Sequence, residues 1–384
     1  MVDLIRQEIA ATASPIVVKV GTRVLTRANG QLDEDRIGHL ADQFHRLIAQ
    51  GKQVVLVSSG AVGAGMSALE LTARPPDLAQ LQAVAAVGQA KLIESYDRRL
   101  RKHGYHAAQV LLTAADLQDR TSYLNVRNTI SSLLSLNALP IINENDTVAV
   151  DELMRTFGDN DCLAALVTTL LGAPLLIILS DVDGLYDGPP DSENSQVIPT
   201  VRRIDEKINS YIQAFRPGLG KGGMATKLNA AKTCTLAGEN VILANGREPN
   251  IVARIAAGET IGTAFLAQGK TVTHWKRWIG FSAKPAGILH IDPGAKNAVV
   301  AQGGSLLAVG IKGLTGVFHK GDVVALQDKA GQEHARGLTN YDSDELHKIV
   351  GLRSDQIAEK LGHCTHTEVI HRDNLVITEP VANS

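Results

Sequence analysis

Residues 139–186 read LPIINENDTVAVDELMRTFGDNDCLAALVTTLLGAPLLIILSDVDGLY. Two short, unbroken apolar runs, 139–142 and 175–179, each stop abruptly at a polar cluster, the pattern of fully buried strands in a parallel sheet. The clusters are Asn143, Glu144, Asn145 and Asp146 after the first run, and Ser180, Asp181 and Asp183 after the second. They fall on the carboxyl edge of the sheet, where open α/β sheets bind ligands. Between them Gly158, Asp159, Asn160 and Asp161 open an apolar helical segment, 162–171. Any one of these residues is ordinary helix capping, but together with two polar strand ends they form a candidate site.

The chain around this stretch repeats the same units. Strands are expected over 16–20, 54–57, 107–112 and 241–243, and helices over 33–49, 77–103 and 123–136, with a further helix running to Ala237. Strand, turn and helix in succession mean an α/β fold with a mostly parallel sheet sandwiched by helices. Residues 187–199 are rich in Pro, Asp, Ser and Asn and read as an exposed loop or hairpin. After the basic stretch that holds Trp275 and Trp278, the pattern changes to short runs broken by glycine, GILHIDPGA, AVVAQGGSLL and GVFHKGDVVALQD. Such spacing suggests strands of a small β-barrel-like domain, with one helix near 343–351. The expected division is 1–270, a linker over 271–284, and 285–384.

Length, composition and charge agree with this division and exclude several classes of function. A chain of 384 residues with 44% hydrophobic and 20% charged residues is long enough for two globular domains. A formal net charge of −2 gives no electrostatic footprint for nucleic acid or a membrane surface. From Phe281 to Ser384 there are ten Lys and Arg against twelve Asp and Glu, so the C-terminal part is no basic RNA-binding surface either. Cys162, Cys234 and Cys364 are isolated, which fits a reducing cytoplasm, and the first residues lack the apolar core of a signal peptide.

Three glycine-rich turns stand at strand ends or helix starts and offer backbone N–H groups to phosphate oxygens: Gly21, 59–65 and 220–223. Gly218, Gly220 and Gly223 spell a dinucleotide fingerprint but follow Pro217 rather than a strand, so that reading fails. Lys19 lies within a buried strand, where its ammonium either snorkels to the sheet edge or needs an anionic partner. Lys227 follows the last glycine turn. Asp161 and Asp181 either orient these lysines or hold Mg²⁺ together with substrate phosphates. This is equipment for phosphoryl transfer. None of these motifs contains a histidine, and a carboxylate acceptor, already ionised at pH 7, needs no general base.

At this point the motifs match a known pattern. VVKVGT (17–22), SSGAVGAG (58–65), INENDTV (142–148), GDND (158–161), SDVDGLY (180–186) and GLGKGGMATK (218–227) resemble the amino-acid kinase family, in its order, over about 17–266. The last hundred residues resemble a PUA domain. The combination is similar to the branch that phosphorylates L-glutamate, rather than to the kinases of N-acetylglutamate, aspartate, carbamate or UMP. That resemblance implies a cytoplasmic transferase that moves the ATP γ-phosphate to the γ-carboxylate of L-glutamate, at the start of proline biosynthesis. It also implies Mg²⁺, feedback inhibition by proline, a homo-oligomer (dimer or tetramer) and a downstream glutamyl phosphate reductase. Residue by residue, it implies that Lys19 and Lys227 stabilise the transferring phosphoryl group and that Asp161 holds them. It places glutamate on Ser59, Asn143, Asp146, Asp159 and Asn160. ATP is placed on Lys19, Gly21, Ser180, Asp181, Lys221, Gly222, Gly223, Met224, Ala225, Thr226 and Lys227. No side-chain metal ligand is assigned. Ser180, where threonine is common, and Lys221, ahead of the paired glycines, depart from the family pattern.

Overall fold

The structure is a computed structural model, and it describes residues 3–27, 30–148, 160–190, 192, 194–213, 223–268, 272–362 and 366–379. The chain divides into two compact units, residues 1–117 with 121–270, and residues 118–120 with 271–384. Among the described residues no helix is long and apolar enough to cross a membrane.

The first unit is built on eight strands: β1 (Ile16–Val20), β2 (Val54–Ser58), β3 (His106–Leu112), β4 (Ala138–Glu144), β5 (Leu175–Ser180), β6 (Thr200–Val201), β7 (Asn240–Asn245) and β8 (Thr263–Phe265). Their order is β3-β4-β2-β1-β5-β7-β8-β6, and every neighbouring pair is parallel except β7 with β8. The β-branched and leucine-rich runs of β1, β2 and β5 are buried throughout, as strands covered on both faces must be. Because these strands run in one direction, Ser58, Glu144, Ser180 and Asn245 all end on one carboxyl edge.

The pleat decides where Lys19 goes. Ile16, Val18 and Val20 share a core with Phe44 of the helix Glu34–Ala49 and with Leu92 and Tyr96 of the helix Leu78–Leu100. Alternation along the strand puts Val17 and Lys19 on the opposite face. That face is crossed by the helix Asn160–Leu171, which packs on β1 and β5 and against the helix Met224–Ala237. The central strand therefore aims its one charged residue at the start of the helix that the sequence marked as special.

The second unit holds a five-stranded sheet in the order β10-β9-β11-β12-β13, from β9 (Gly287–Ile291), β10 (Ile311–Thr315), β11 (Val323–Gln327), β12 (Glu333–Leu338) and β13 (Leu375–Ile377). The helix Ser343–Ile349, expected from the sequence, starts with a full capping box between Asp342 and Glu345. One expectation fails. AVVAQGGSLL, read as a strand, is a wide helical turn over Asn297–Ala301, followed only by an isolated bridge from Leu306 to Ile370. The cause lies just upstream: Asp292 caps Ala295 N at 2.8 Å and Pro293 occupies the first helical position, so the chain is already helical when it reaches the apolar run. The stretch 271–284, expected as a linker, carries the helix His274–Arg277 and buries Ile279 beside Val323, Leu338 and Val376 of the second unit. Trp275 and Trp278 stack on each other at 5.8 Å, and Trp275 Nε1 donates to Asn374 Oδ1 at 3.0 Å.

Candidate active site

Asp161 sits at the centre of the site. Lys19 Nζ lies 2.7 Å from its Oδ1 and Lys227 Nζ 3.1 Å from its Oδ2, and Thr226 Oγ1 donates to Oδ2 at 2.8 Å. Lys19 and Asp161 are buried to 6% and 4% exposure. Burial pushes the Asp161 carboxyl upward, but the two ammonium groups outweigh it and hold the group ionised, below the usual carboxylate range. Among the described residues two ammonium groups meet at one buried carboxylate, an arrangement that a phosphate oxygen can join. Lys227 reaches Asp161 from the first turn of the helix Met224–Ala237, whose N-cap, Gly223, offers no side-chain cap to the first-turn N–H groups. Those groups are oriented donors for an anion.

A second group of polar side chains adjoins this cluster. Asn160 Nδ2 donates to Ser58 O at 3.1 Å, Ser59 Oγ at 3.0 Å and Asn143 Oδ1 at 3.1 Å. Its own Oδ1 is buried and has no hydrogen-bond partner among the described residues. Asp146 is 7% exposed, and Gln89 Nε2 donates to its Oδ2 at 3.3 Å. Burial, helped by the neighbouring Glu144, pushes the Asp146 carboxyl up to about 6 against the opposing effects of Gln89 and Arg74. A buried carboxylate with no ion pair among the described residues and an orphaned amide oxygen are acceptors that fit a ligand ammonium. Beside them the helix Ala61–Ala68 starts at Gly60, which adopts φ +98° and provides no side-chain cap.

The ends of β5 and β7 supply a third group. Ser180 Oγ donates to Asp181 Oδ1 at 3.2 Å, and Arg23 Nη1 pairs with Asp181 Oδ2 at 2.9 Å. Partial burial raises the Asp181 carboxyl, but the hydrogen bond and charge of Arg23, a backbone N–H and the Ser180 hydroxyl together more than reverse this, so the group stays below its ordinary value. Asp183 accepts from Asn245 Nδ2 and from Tyr186 OH, each at 2.9 Å. The edge thus divides into a polar, partly acidic end near β4 and an end near β5 and β7 lined by Ser180, Asp181 and Arg23, with the lysines and Asp161 between.

Comparison with known proteins identifies the family. Residues 14–245 match the Amino acid kinase family, and residues 287–361 match the PUA domain. The chain belongs to the amino acid kinase family. It is 47% identical over 373 residues to a glutamate 5-kinase of Rhodopirellula baltica, covering 97% of this chain and 96% of the relative. It is also 47% identical over 365 residues to a glutamate 5-kinase of Caldanaerobacter subterraneus subsp. tengcongensis, covering 95% and 98%. Among solved structures, a UMP kinase from Bacillus anthracis aligns with 68% of this chain and 99% of its own, at 13% identity and a TM-score of 0.45.

Lys19, Asp161, Thr226 and Lys227 come together, as do Ser59, Asn143 and Asn160. Met224 and Ala225 lie in the first turn of the helix that carries Lys227. Gly158, Asp159, Lys221 and Gly222, with 217–220, lie outside the described residues. Gly21 departs from its expectation as a phosphate donor, since its N–H already donates to Leu179 O at 3.0 Å. What this glycine contributes is space: an added Cβ would lie 3.3 Å from Leu179 O and 3.7 Å from Lys19 Nζ.

Two residues of the site escaped sequence reasoning. Arg23 follows a turn and carries no local signal that links it to Asp181. Gln89 left a signal. It occupies the apolar stripe Leu81, Val84, Ala85, Gly88, Leu92 and Tyr96 of a long helix, where a polar side chain needs a partner.

Proposed function

We propose that this chain transfers the γ-phosphoryl group of ATP to the γ-carboxylate of L-glutamate, giving glutamyl 5-phosphate and ADP. The observation that carries this reading is the clasp of Lys19 and Lys227 on Asp161, in a chain whose near-full-length relatives are glutamate 5-kinases. A glutamate γ-carboxylate oxygen attacks the γ-phosphorus, the bond to the β-phosphate oxygen breaks, and ADP leaves with that electron pair. No proton has to move, because the acceptor is ionised at pH 7. The work left to the protein is positioning and charge neutralisation. Lys19 and Lys227 meet the negative charge on the transferring group, and Asp161 keeps both ammonium groups aimed at one point. Asp146 and the free oxygen of Asn160 accept the α-ammonium of glutamate, while Ser59 and Asn143 fix the rest of it. Ser180, Asp181 and the first turn from Gly223 to Lys227 take the nucleotide.

Mg²⁺ enters this proposal with ATP, where it supplies charge neutralisation on the phosphates. Both oxygens of Asp161 are committed to lysines and Thr226, and one oxygen of Asp181 to Arg23. That donor set fits an ion carried chiefly by phosphate and water, and Asp181 is the carboxylate that would help to hold it. Feedback by proline, a homo-oligomer and delivery of the product to a glutamyl phosphate reductase belong to the same proposal, and proline titration and light scattering test the first two. The deciding experiment traps the acyl phosphate with hydroxylamine, with and without L-glutamate, beside N-acetylglutamate and aspartate. Hydroxamate formed from one of those two in preference to glutamate overturns the reading.

A further inference from the structure

We propose that Gln89 is a positioning residue for the acceptor site, holding Asn143 and Asp146 in register with each other through a single side-chain amide. The inference rests on the placement of the amino-acid acceptor beside Asn143, Asp146 and Asn160. Gln89 is 5% exposed, and all four of its amide valences are used. Its Oε1 accepts from Asn143 Nδ2 at 3.2 Å and from Gln109 Nε2 at 3.1 Å, and its Nε2 donates to Asp146 Oδ2 and to Glu144 O, each at 3.3 Å. The reverse orientation would set donor against donor on one side and oxygen against a carboxylate and a carbonyl on the other. The network therefore admits one orientation and requires an amide: a carboxylate at this position would face Asp146, and an apolar side chain would leave two acceptors and two donors without partners.

The network leads inward from there. Asn143 accepts from Asn160, and Asn160 donates to Ser59, so a continuous run Gln109, Gln89, Asn143, Asn160 and Ser59 passes through the residue that precedes Asp161 in the chain. Gln89 touches none of the reacting atoms and acts through Asn143 and Asp146. Its helix is fixed at this level by two close approaches. A Cβ on Gly88 would lie 1.7 Å from Ala61 O, and one on Gly65 would lie 1.8 Å from Val84 O. The helix Ala61–Ala68 thus presses directly on the turn that carries Gln89. Asp146 is faced by Glu144, which disfavours its ionised form, and by Gln89 and Arg74, which favour it. Removing the Gln89 donor therefore moves the titration of Asp146 to higher pH.

The test compares Gln89→Met and Gln89→Glu with the wild-type chain, measuring kcat, the KM for glutamate and the KM for ATP across the acid limb of the pH profile. The expected result for Gln89→Met is a glutamate KM raised about tenfold, the effect on the acceptor site of losing the two of its four hydrogen bonds that hold Asn143 and Asp146. The KM for ATP should be unchanged, and the acid-side fall of kcat/KM for glutamate should lie at higher pH. Gln89→Glu keeps the two acceptor bonds and loses a donor to Asp146, so it should displace the acid limb furthest. It carries the test if the Met variant does not fold. A purely structural role would lower thermal stability and raise both KM values together, and that outcome overturns the proposal, as does a folded variant with wild-type glutamate KM and acid limb. A wild-type chain that makes no acyl phosphate from glutamate overturns the acceptor reading itself. An active wild type with silent variants overturns only the role of Gln89.

Discussion

Lys19 Nζ and Asp161 Oδ1 lie 2.7 Å apart, with both side chains under one-tenth exposed. A pair so buried is held by geometry, and loss of one partner leaves the other charge uncompensated. Here Lys227 remains on Asp161 if Lys19 is lost, so Lys19→Ala should fold. Its kcat should drop about 10²–10³-fold, the range for losing one electrostatic contact to a transition state, with little change in the KM for glutamate. Lys227→Ala should behave alike. Near-normal turnover in either variant would remove that lysine from the mechanism.

Asp146 should give the reaction an acid limb. Its carboxyl titrates at about 6 in the folded protein and at about 3.9 when unfolded. The ionised form is the one that accepts an ammonium, so kcat/KM for glutamate should fall as pH drops through about 6. Asp146→Asn should flatten that limb at a low level. Stability has the opposite sign. Between the two values the folded chain keeps a proton that the unfolded chain has lost, so stability decreases as pH rises from about 4 to about 6. Asp146→Asn is therefore expected to melt higher than wild type at pH 7, by up to about 3 kcal/mol in stability, and to show no such gain near pH 4. Thermal melts at both pH values decide it.

Gly88 and Gly38 form a contrasting pair. Both lie inside helices, where replacing glycine by alanine ordinarily stabilises by about 0.5–1 kcal/mol. At Gly38 the added Cβ meets nothing nearer than Arg99 Cδ at 3.9 Å, and Gly38→Ala should melt at or above the wild-type temperature. At Gly88 it would stand 1.7 Å from Ala61 O and 2.5 Å from Gly65 N. Backbone must move there, and Gly88→Ala should lose about 1–3 kcal/mol or more. It should also raise the KM for glutamate, since Gln89 is the next residue. Equal melting temperatures for the two variants would contradict the close helix crossing.

Every residue given a chemical role precedes residue 228, and the first unit has its own hydrophobic core. A chain ending at Lys270 should therefore retain phosphorylation of glutamate. Ending it at Gly280 instead keeps Trp278 and Ile279 but removes Val323, Leu338 and Val376, which cover them. That longer chain should be the less soluble of the two by size-exclusion chromatography. Loss of turnover in a folded 1–270 chain that still binds both substrates would place an essential group in the second unit.

The amino-acid sequence determines the local part of this structure. An unbroken β-branched run ending in a polar cluster can only be a buried strand with its end on a sheet edge, so β1, β2, β4 and β5 and the polar groups they deliver are legible residue by residue. The same logic fails where two local signals compete: Asp292 and Pro293 start a helix that carries the apolar run at 297–301 away from the sheet. Tertiary structure alone decides which polar groups meet. Asp161 joins Lys227 across 66 positions, and Arg23 joins Asp181 across 158. Those pairs exist because parallel strands need long crossover connections, which bring chain-distant strand ends onto one edge. Helical period marks Gln89 as a polar side chain in need of a partner among leucines and alanines, and only the tertiary hydrogen bonds name those partners as Asn143 and Asp146.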